Sequence, residues 1–187
     1  AAIPEARRAL EDVGLVDEVD LVVAGGIRNG GDVAKCLALG AKAVALGTSA
    51  LMALNCNKHI EGVTDYEGTI GVPAGECYHC HTGRCPVGIA TQDPELRQRL
   101  DVDEAALRVY NFLHTLTMEV QLLARACGKT NIHSLEPEDL AALTHEASAM
   151  AKVPLAGTTY IPGVSEERAL QEMKDLMAKQ IAESGRT

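Results

Sequence analysis

The sequence is poor in aromatic side chains: its 187 residues include no Trp, one Phe and four Tyr. Its core must therefore be built from Ala, Leu and Val. With 47% hydrophobic and 23% charged residues, it has the make-up of a soluble globular chain long enough for one sizeable core. Positive charge is also scarce. Seventeen Lys and Arg against 26 Asp and Glu leave a net charge of −9, so no basic patch or stripe is offered to nucleic acid or to an anionic membrane. No apolar run approaches the roughly 18–20 residues that span a bilayer, and no basic and apolar leader opens the chain. It starts on Ala1 rather than Met, and we expect a piece of a longer, cytoplasmic protein.

What is present is organised in three stretches. Residues 1–54 read as helix, strand, helix, strand, helix with very short connections, the grammar of a parallel α/β sheet or barrel. The runs Asp20–Ala24 and Ala43–Leu46 are short and nearly all apolar, as buried parallel strands are. Gly40 suits a helix C-cap. Residues 55–92 lack periodicity and read as irregular structure organised by something other than a core. Residues 93–187 read as helical. Leu107, Tyr110, Leu113, Leu116, Val120 and Leu123 recur at helical spacing in a long helix closed by Gly128. A helix opened by Pro137 is expected to run to about Ala151, and a last one to span about Ser165–Ser184 with a fraying tail.

Both strands end in a glycine turn, Ala24-Gly25-Gly26-Ile27-Arg28 and Leu46-Gly47-Thr48-Ser49. In parallel α/β folds ligands sit at the carboxyl ends of strands, and in eight-stranded barrels the last two such loops often take a phosphate. Glycine lets backbone N–H groups approach phosphate oxygens, and a helix N-terminus adds favourable charge. Arg28 could add a charge-assisted contact and Thr48 a hydroxyl. Taken singly, each turn is an ordinary strand-to-helix connection; the repetition favours the ligand reading. The span from Val22 to Lys35, with Ala38-Leu39-Gly40-Ala41 and Ala45-Leu46-Gly47-Thr48, resembles the last two strands of FMN-dependent TIM barrels of the glycolate-oxidase and glutamate synthase kind. That resemblance implies an FMN phosphate held by Gly25, Gly26, Gly47, Thr48 and Arg28.

Six cysteines are present, and three of them, Cys77, Cys80 and Cys85, fall within nine residues. Without an export signal a metal site is a better reading than a disulfide framework. Three sites fit Cys77-Tyr78-His79-Cys80-His81. A c-type haem attachment would leave Cys85 without a purpose. A zinc site of three Cys and one His would lack the usual second pair of ligands. An iron–sulfur cluster suits the short spacings and Pro86 directly after the last cysteine. If Cys56 folded nearby, four thiolates would be available for a [4Fe-4S] cluster.

The string from Cys80 to Gln92, CHTGRCPVGIATQ, resembles the cluster loop of glutamate synthase. The resemblance implies a [3Fe-4S] cluster on three cysteines spaced C-x5-C-x4-C. Cys80 and Cys85 match that pattern, whereas its first position falls on Ala74 and this chain offers Cys77 instead. It covers the strand–helix part, the loop and the helices to about Gly157. The fold expected is thus the end of a TIM barrel (1–54), a cluster loop (55–92) and a helical extension (93–187). The resemblance further implies a flavin and iron–sulfur oxidoreductase that makes glutamate from 2-oxoglutarate and ammonia, electrons passing from cluster to FMN to 2-iminoglutarate. Its implied partners are an electron-donating subunit or ferredoxin and an ammonia-supplying glutaminase domain or subunit, and an oligomer is expected. The flavin-ring and substrate contacts would lie upstream of Ala1. Two alternatives stay open: an N-methylglutamate synthase subunit, using methylamine, and a non-enzymatic iron–sulfur or zinc module.

Single residues read more plainly. Cys36, Cys127 and His114 are expected in the core, with Met118 and Met150 as fillers, and Glu119 and Arg125 on a solvated or ion-paired face. His79 and His81 flank cluster cysteines and could tune a cluster by hydrogen bonding.

Overall fold

A computed structural model describes residues 2–60, 64–65, 67–68, 71, 77, 79–168, 170–171 and 174–175. The chain forms helix α1 (Ala2–Asp12), strand β1 (Val22–Ala24), α2 (Gly30–Ala38), β2 (Ala43–Ala45), α3 (Thr48–Ala53), α4 (Pro94–Arg97), α5 (Val102–Ala126) and α6 (His145–Ala151). Single turns of 3-10 helix lie at His79–Thr82, Ile132–Ser134 and Pro137–Asp139. β1 and β2 pair through the α2 crossover in a two-stranded parallel sheet. The α/β class is as read from the sequence.

Two compact units are present, one of residues 1–23, 31–44 and 120–187, the other of residues 24–30 and 45–119. In the first, Val33, Ala34, Leu37 and Ala38 of α2 are buried, as are Val120 and Ala124 at the end of α5 and Leu135, Ala142 and Val153 beyond it. Ser148 is fully buried and donates its hydroxyl to the Val153 carbonyl at 2.6 Å, so its polar group is satisfied where water cannot reach. In the second, Ile27, Ile60, Cys85, Val87, Ala105 and Leu116 are buried.

Several expectations change. The strands are shorter than read, and their side chains are not buried: Val22 is 60% exposed. A parallel sheet is buried by helices and neighbouring strands, and among the described residues β1 and β2 have no third strand. The helix expected from Pro137 to Ala151 is broken. Glu136 and Asp139 close a capping box around one 3-10 turn, Leu140 is extended, and Ala142 bridges to Leu155. Thr144 then caps α6, its hydroxyl accepting from Ala147 N–H at 3.1 Å. Residues 164–168 are helical, and most of the expected last helix falls outside the described residues.

The apolar stripe of α5 is also rotated from the one expected. Its buried positions include Ala105, Leu116, Val120 and Ala124, while Leu107, Tyr110, Leu113 and Leu123 are exposed. His114 is exposed and stacks on Tyr110 at 5.7 Å, so it is no core histidine. Met118 and Met150 are exposed rather than core fillers, and Cys127 is exposed at the end of α5. Glu119, expected on a solvated or ion-paired face, is half-buried, and its carboxylate accepts the Gly30 N–H at 2.6 Å.

Candidate functional site

The glycine turns and the cysteine loop both lie in the second unit. Gly25 and Gly26 take φ of +105° and +72°, a region closed to most side chains, and a Cβ on either would meet nothing within 4 Å. Ile27 is buried and anchors the turn. Gly47, at φ −118° and ψ −90°, lies outside the helical and extended regions and is likewise open around a would-be Cβ. The open space allows close approach of a ligand to the backbone. Gly25, Gly26, Arg28, Gly47 and Thr48 line one cavity of about 1030 Å³.

Two features bias that cavity toward an anion. No side chain caps α3, whose first-turn N–H groups begin at Thr48. By contrast, the Gly30 N–H at the start of α2 is already taken by Glu119. The open positive pole is therefore the one beside Gly47 and Thr48. Ser49, which also lines the cavity, carries a buried hydroxyl oxygen with no hydrogen-bond partner. An orphaned buried hydroxyl is rare and is explained by a ligand or a water. The sequence reading missed Ser49, which looks like any first-turn serine. It also missed Arg108, Asn111 and Phe112 of α5, which line the same cavity from 60 residues further along the chain.

The cysteine loop is built around Cys85, which is 5% exposed and packs with Val87 and Ile60, with Cys56, Ile89 and Ala90 against them. Burial pushes the Cys85 thiol up. The backbone N–H groups of Ala90, Val87, Ile89 and Gly88 point at its sulfur and outweigh burial, holding it below the ordinary thiol value. A ring of amides around one sulfur stabilises a thiolate and is the environment of cluster sulfurs. Gly88 makes the ring feasible. Its φ is +84°, and a Cβ there would stand 2.5 Å from the Leu96 carbonyl oxygen of α4.

The rest of the loop is tied down by polar contacts. Thr91 is buried, pairs with Arg84 in an antiparallel bridge and donates its hydroxyl to the Gly83 carbonyl. Arg99 donates to the Pro86 carbonyl at 2.8 Å. Asp93 caps α4, accepting from Glu95 and Leu96 N–H at 2.9 and 3.1 Å. Cys80 is exposed on the 3-10 turn, Cys77 is half-buried, and His79 and His81 flank Cys80. Residues 72–76 and Tyr78, around Cys77, lie outside the described residues.

Among the described residues no three His, Cys, Asp or Glu side chains converge as a single metal ion would require. Zinc needs four donors about 2.0–2.3 Å from one point. A polynuclear cluster has its own breadth and joins thiols that do not meet at a point. The amide-ringed Cys85 fits such a cluster better than a lone ion, just as the glycine-lined cavity with its unpartnered Ser49 hydroxyl fits a phosphate. Among the described residues, no helix is long and apolar enough to cross a membrane.

Comparison with known proteins gives a consistent match. Residues 1–130 match the conserved region in glutamate synthase. A glutamate synthase large subunit-like protein of Rhizobium meliloti is 55% identical over 164 residues, covering 87% of this chain and 36% of that protein. An archaeal glutamate synthase [NADPH] of Methanocaldococcus jannaschii is 40% identical, covering 72% of this chain and 23% of its own length. A ferredoxin-dependent glutamate synthase of Pyropia yezoensis is 32% identical over 119 residues, 63% of this chain and 7% of that protein. The chain thus spans about a third or less of the relatives it matches.

Proposed function

Since the chain belongs to the glutamate synthase family, we propose that it supplies the phosphate end of an FMN site and the cluster loop of an oxidoreductase that reductively aminates 2-oxoglutarate to glutamate. The observation that carries this is the cavity lined by Gly25, Gly26, Arg28, Gly47 and Thr48, with the buried and unpartnered Ser49 hydroxyl, in the same unit as the buried Cys85.

In this reading Gly25, Gly26, Gly47, Thr48 and Arg28 hold the FMN phosphate. Backbone N–H groups of the two turns and the uncapped start of α3 bind its oxygens, and the Thr48 and Ser49 hydroxyls complete them. Glu119, by occupying the Gly30 N–H, keeps the phosphate to the Gly47 side. Cys77, Cys80 and Cys85 hold the iron–sulfur cluster, a three-cysteine [3Fe-4S] centre by family resemblance. When bound, the cluster supplies one-electron entry and FMN supplies hydride transfer to 2-iminoglutarate. The chain's own residues position the two groups, and the apolar packing of Ile60, Val87 and Ile89 keeps water from the buried sulfur. The electron donor is a reduced ferredoxin or a flavin-bearing subunit, the ammonia comes from a glutaminase domain or subunit, and the enzyme is a cytoplasmic oligomer. The flavin-ring and substrate contacts belong to the part of the barrel outside this chain.

Anaerobic purification of the intact protein tests this. It should carry FMN, iron and acid-labile sulfide. One zinc with no sulfide and no flavin would overturn it.

A further inference from the structure

Helix α5 forms a third wall of the cavity at the glycine turns, supplying Arg108, Asn111 and Phe112. Their spacing of three and four residues makes them neighbours on the helix surface. Ala105, three residues before Arg108, and Leu116, four after Phe112, are both buried. Arg108 therefore belongs to the flank of the inward stripe of α5.

Charge around this cavity runs against the chain as a whole. The chain holds 26 acidic and 17 basic residues. Among the described residues no Asp or Glu lines the cavity, whereas Arg28 and Arg108 both do. The same lining carries the uncapped start of α3 and the buried Ser49 hydroxyl that has no partner. A phosphate monoester carries about −1.5 to −2 charges at neutral pH, which a single guanidinium leaves partly uncompensated.

Arg108 is held in place without being used up. Its Nε and Nη2 donate to Glu104 Oε1 at 3.1 and 2.6 Å, one turn earlier on α5. Both side chains are about half exposed, so water screens the pair and it contributes little to stability. The planar guanidinium has N–H donors beyond those two, in a fork that matches the oxygens of a phosphate.

We propose that Arg108 is a second phosphate-binding cation of this cavity, sharing with Arg28 the charge of the flavin phosphate and setting the preference for FMN over riboflavin. The proposal rests on the FMN reading above. It adds a residue from outside the two glycine turns and the property that residue controls.

The test uses the intact protein, stripped of flavin, as wild type and as Arg108→Ala, Arg108→Gln and Arg125→Ala. Each is titrated with FMN and with riboflavin, flavin fluorescence reading the bound fraction and circular dichroism the fold. Wild type should bind FMN more tightly than riboflavin. Arg108→Ala should weaken FMN binding by about 10- to 100-fold and leave riboflavin binding unchanged. Arg108→Gln, which keeps the length of the side chain and removes its charge, should do the same. Arg125→Ala makes the same change of charge on the same helix, away from the cavity lining, and should match wild type. A wild-type ratio of the two affinities in either folded Arg108 variant would overturn the proposal. So would an equal loss of both ligands, which would mark Arg108 as merely supporting α5, or an equal loss of FMN in Arg125→Ala, which would mark an effect of net charge alone. Were wild type to bind riboflavin as well as FMN, the phosphate reading of the cavity would fall and the proposal with it. A wild type that prefers FMN, with that preference intact in the Arg108 variants, would leave the phosphate reading standing and remove only Arg108.

Discussion

The glycine turns and the cysteine loop sit in one unit but are built in different ways. The turns are backbone sites. Positive φ at Gly25 and Gly26, open space at Gly47 and the uncapped start of α3 are in place without a ligand. The loop is a side-chain site. Its anchor, Cys85, is fixed by packing, while Cys80 is exposed and, among the described residues, no three ligating side chains converge on one point. Backbone conformation is set by local sterics, so a cradle of N–H groups can form before its anion arrives. Thiolates repel one another and gain their main stabilisation from the metal, so a cluster site is completed by its cluster.

If the loop depends on its anchor, Cys85→Ser in the intact protein should abolish iron and sulfide binding while leaving FMN bound. Iron and flavin analysis of one preparation reads both, and co-loss of the flavin would erase the contrast between the sites. Next in size is Gly88→Ala. The added Cβ meets the Leu96 carbonyl oxygen at 2.5 Å and the backbone sits at φ +84°. The cost is about 2–5 kcal/mol, from left-handed strain and overpacking together. Denaturant unfolding should show it, along with weakened cluster retention. A stability equal to wild type would mean that the ring of amides does not need this turn.

A smaller effect belongs to Thr91. Thr91→Val leaves the Gly83 carbonyl without its side-chain donor and removes the hydroxyl that accepts the Asp93 N–H at 3.1 Å. The expected loss is about 1–3 kcal/mol, measured by urea unfolding, with faster cluster loss in air. FMN affinity should not move.

The smallest effect is a control in the other unit. The Tyr160 hydroxyl, the Glu166 backbone amide and the Gly163 N–H hold the Glu166 carboxyl below its usual value, and the same contact raises Tyr160. A depressed carboxyl contributes stability that is present above its usual value and lost as pH falls through the folded one. A raised phenol contributes stability present below its usual value and lost as pH rises through the folded one. Both groups are exposed, so the turn at residues 160–166 should loosen modestly at acid and at strongly alkaline pH. Amide exchange at Gly163 should report this, with flavin and cluster unchanged at the acid end.

How far the sequence revealed these sites follows from how each is built. The turns were legible as a pair because two short apolar runs each end in glycine, and the structure gathers Gly25, Gly26, Arg28, Gly47 and Thr48 around one cavity. Ser49 and Glu119 were not legible, because their significance lies in a missing partner and in a capped helix 89 residues away. The loop stood out in sequence by its cysteines and Pro86, but the packing of Cys56 against Cys85 depended on a helix stop that only the backbone reveals. The stripe of α5 was legible only in part, since Leu116 and Val120 are buried while Leu107, Tyr110, Leu113 and Leu123 are exposed, and spacing alone does not say how far along a helix the burial runs. The break after Pro137 was hidden by a capping box that resembles a helix start and closes after one turn.

In the proposed function two separate sites, one for flavin phosphate and one for a cluster, share this unit. Gly47→Val addresses it most directly, because a Cβ at Gly47 meets nothing within 4 Å, and circular dichroism of the variant reads whether its fold is intact. In one titration of the intact protein, flavin fluorescence reports FMN release and visible absorbance reports the cluster. Gly47→Val should release FMN at full cluster absorbance, and Arg28→Ala should do so more mildly, by about 1.5–3 kcal/mol of affinity. Wild-type FMN affinity in the folded valine variant, or loss of flavin and cluster together, would contradict the claim.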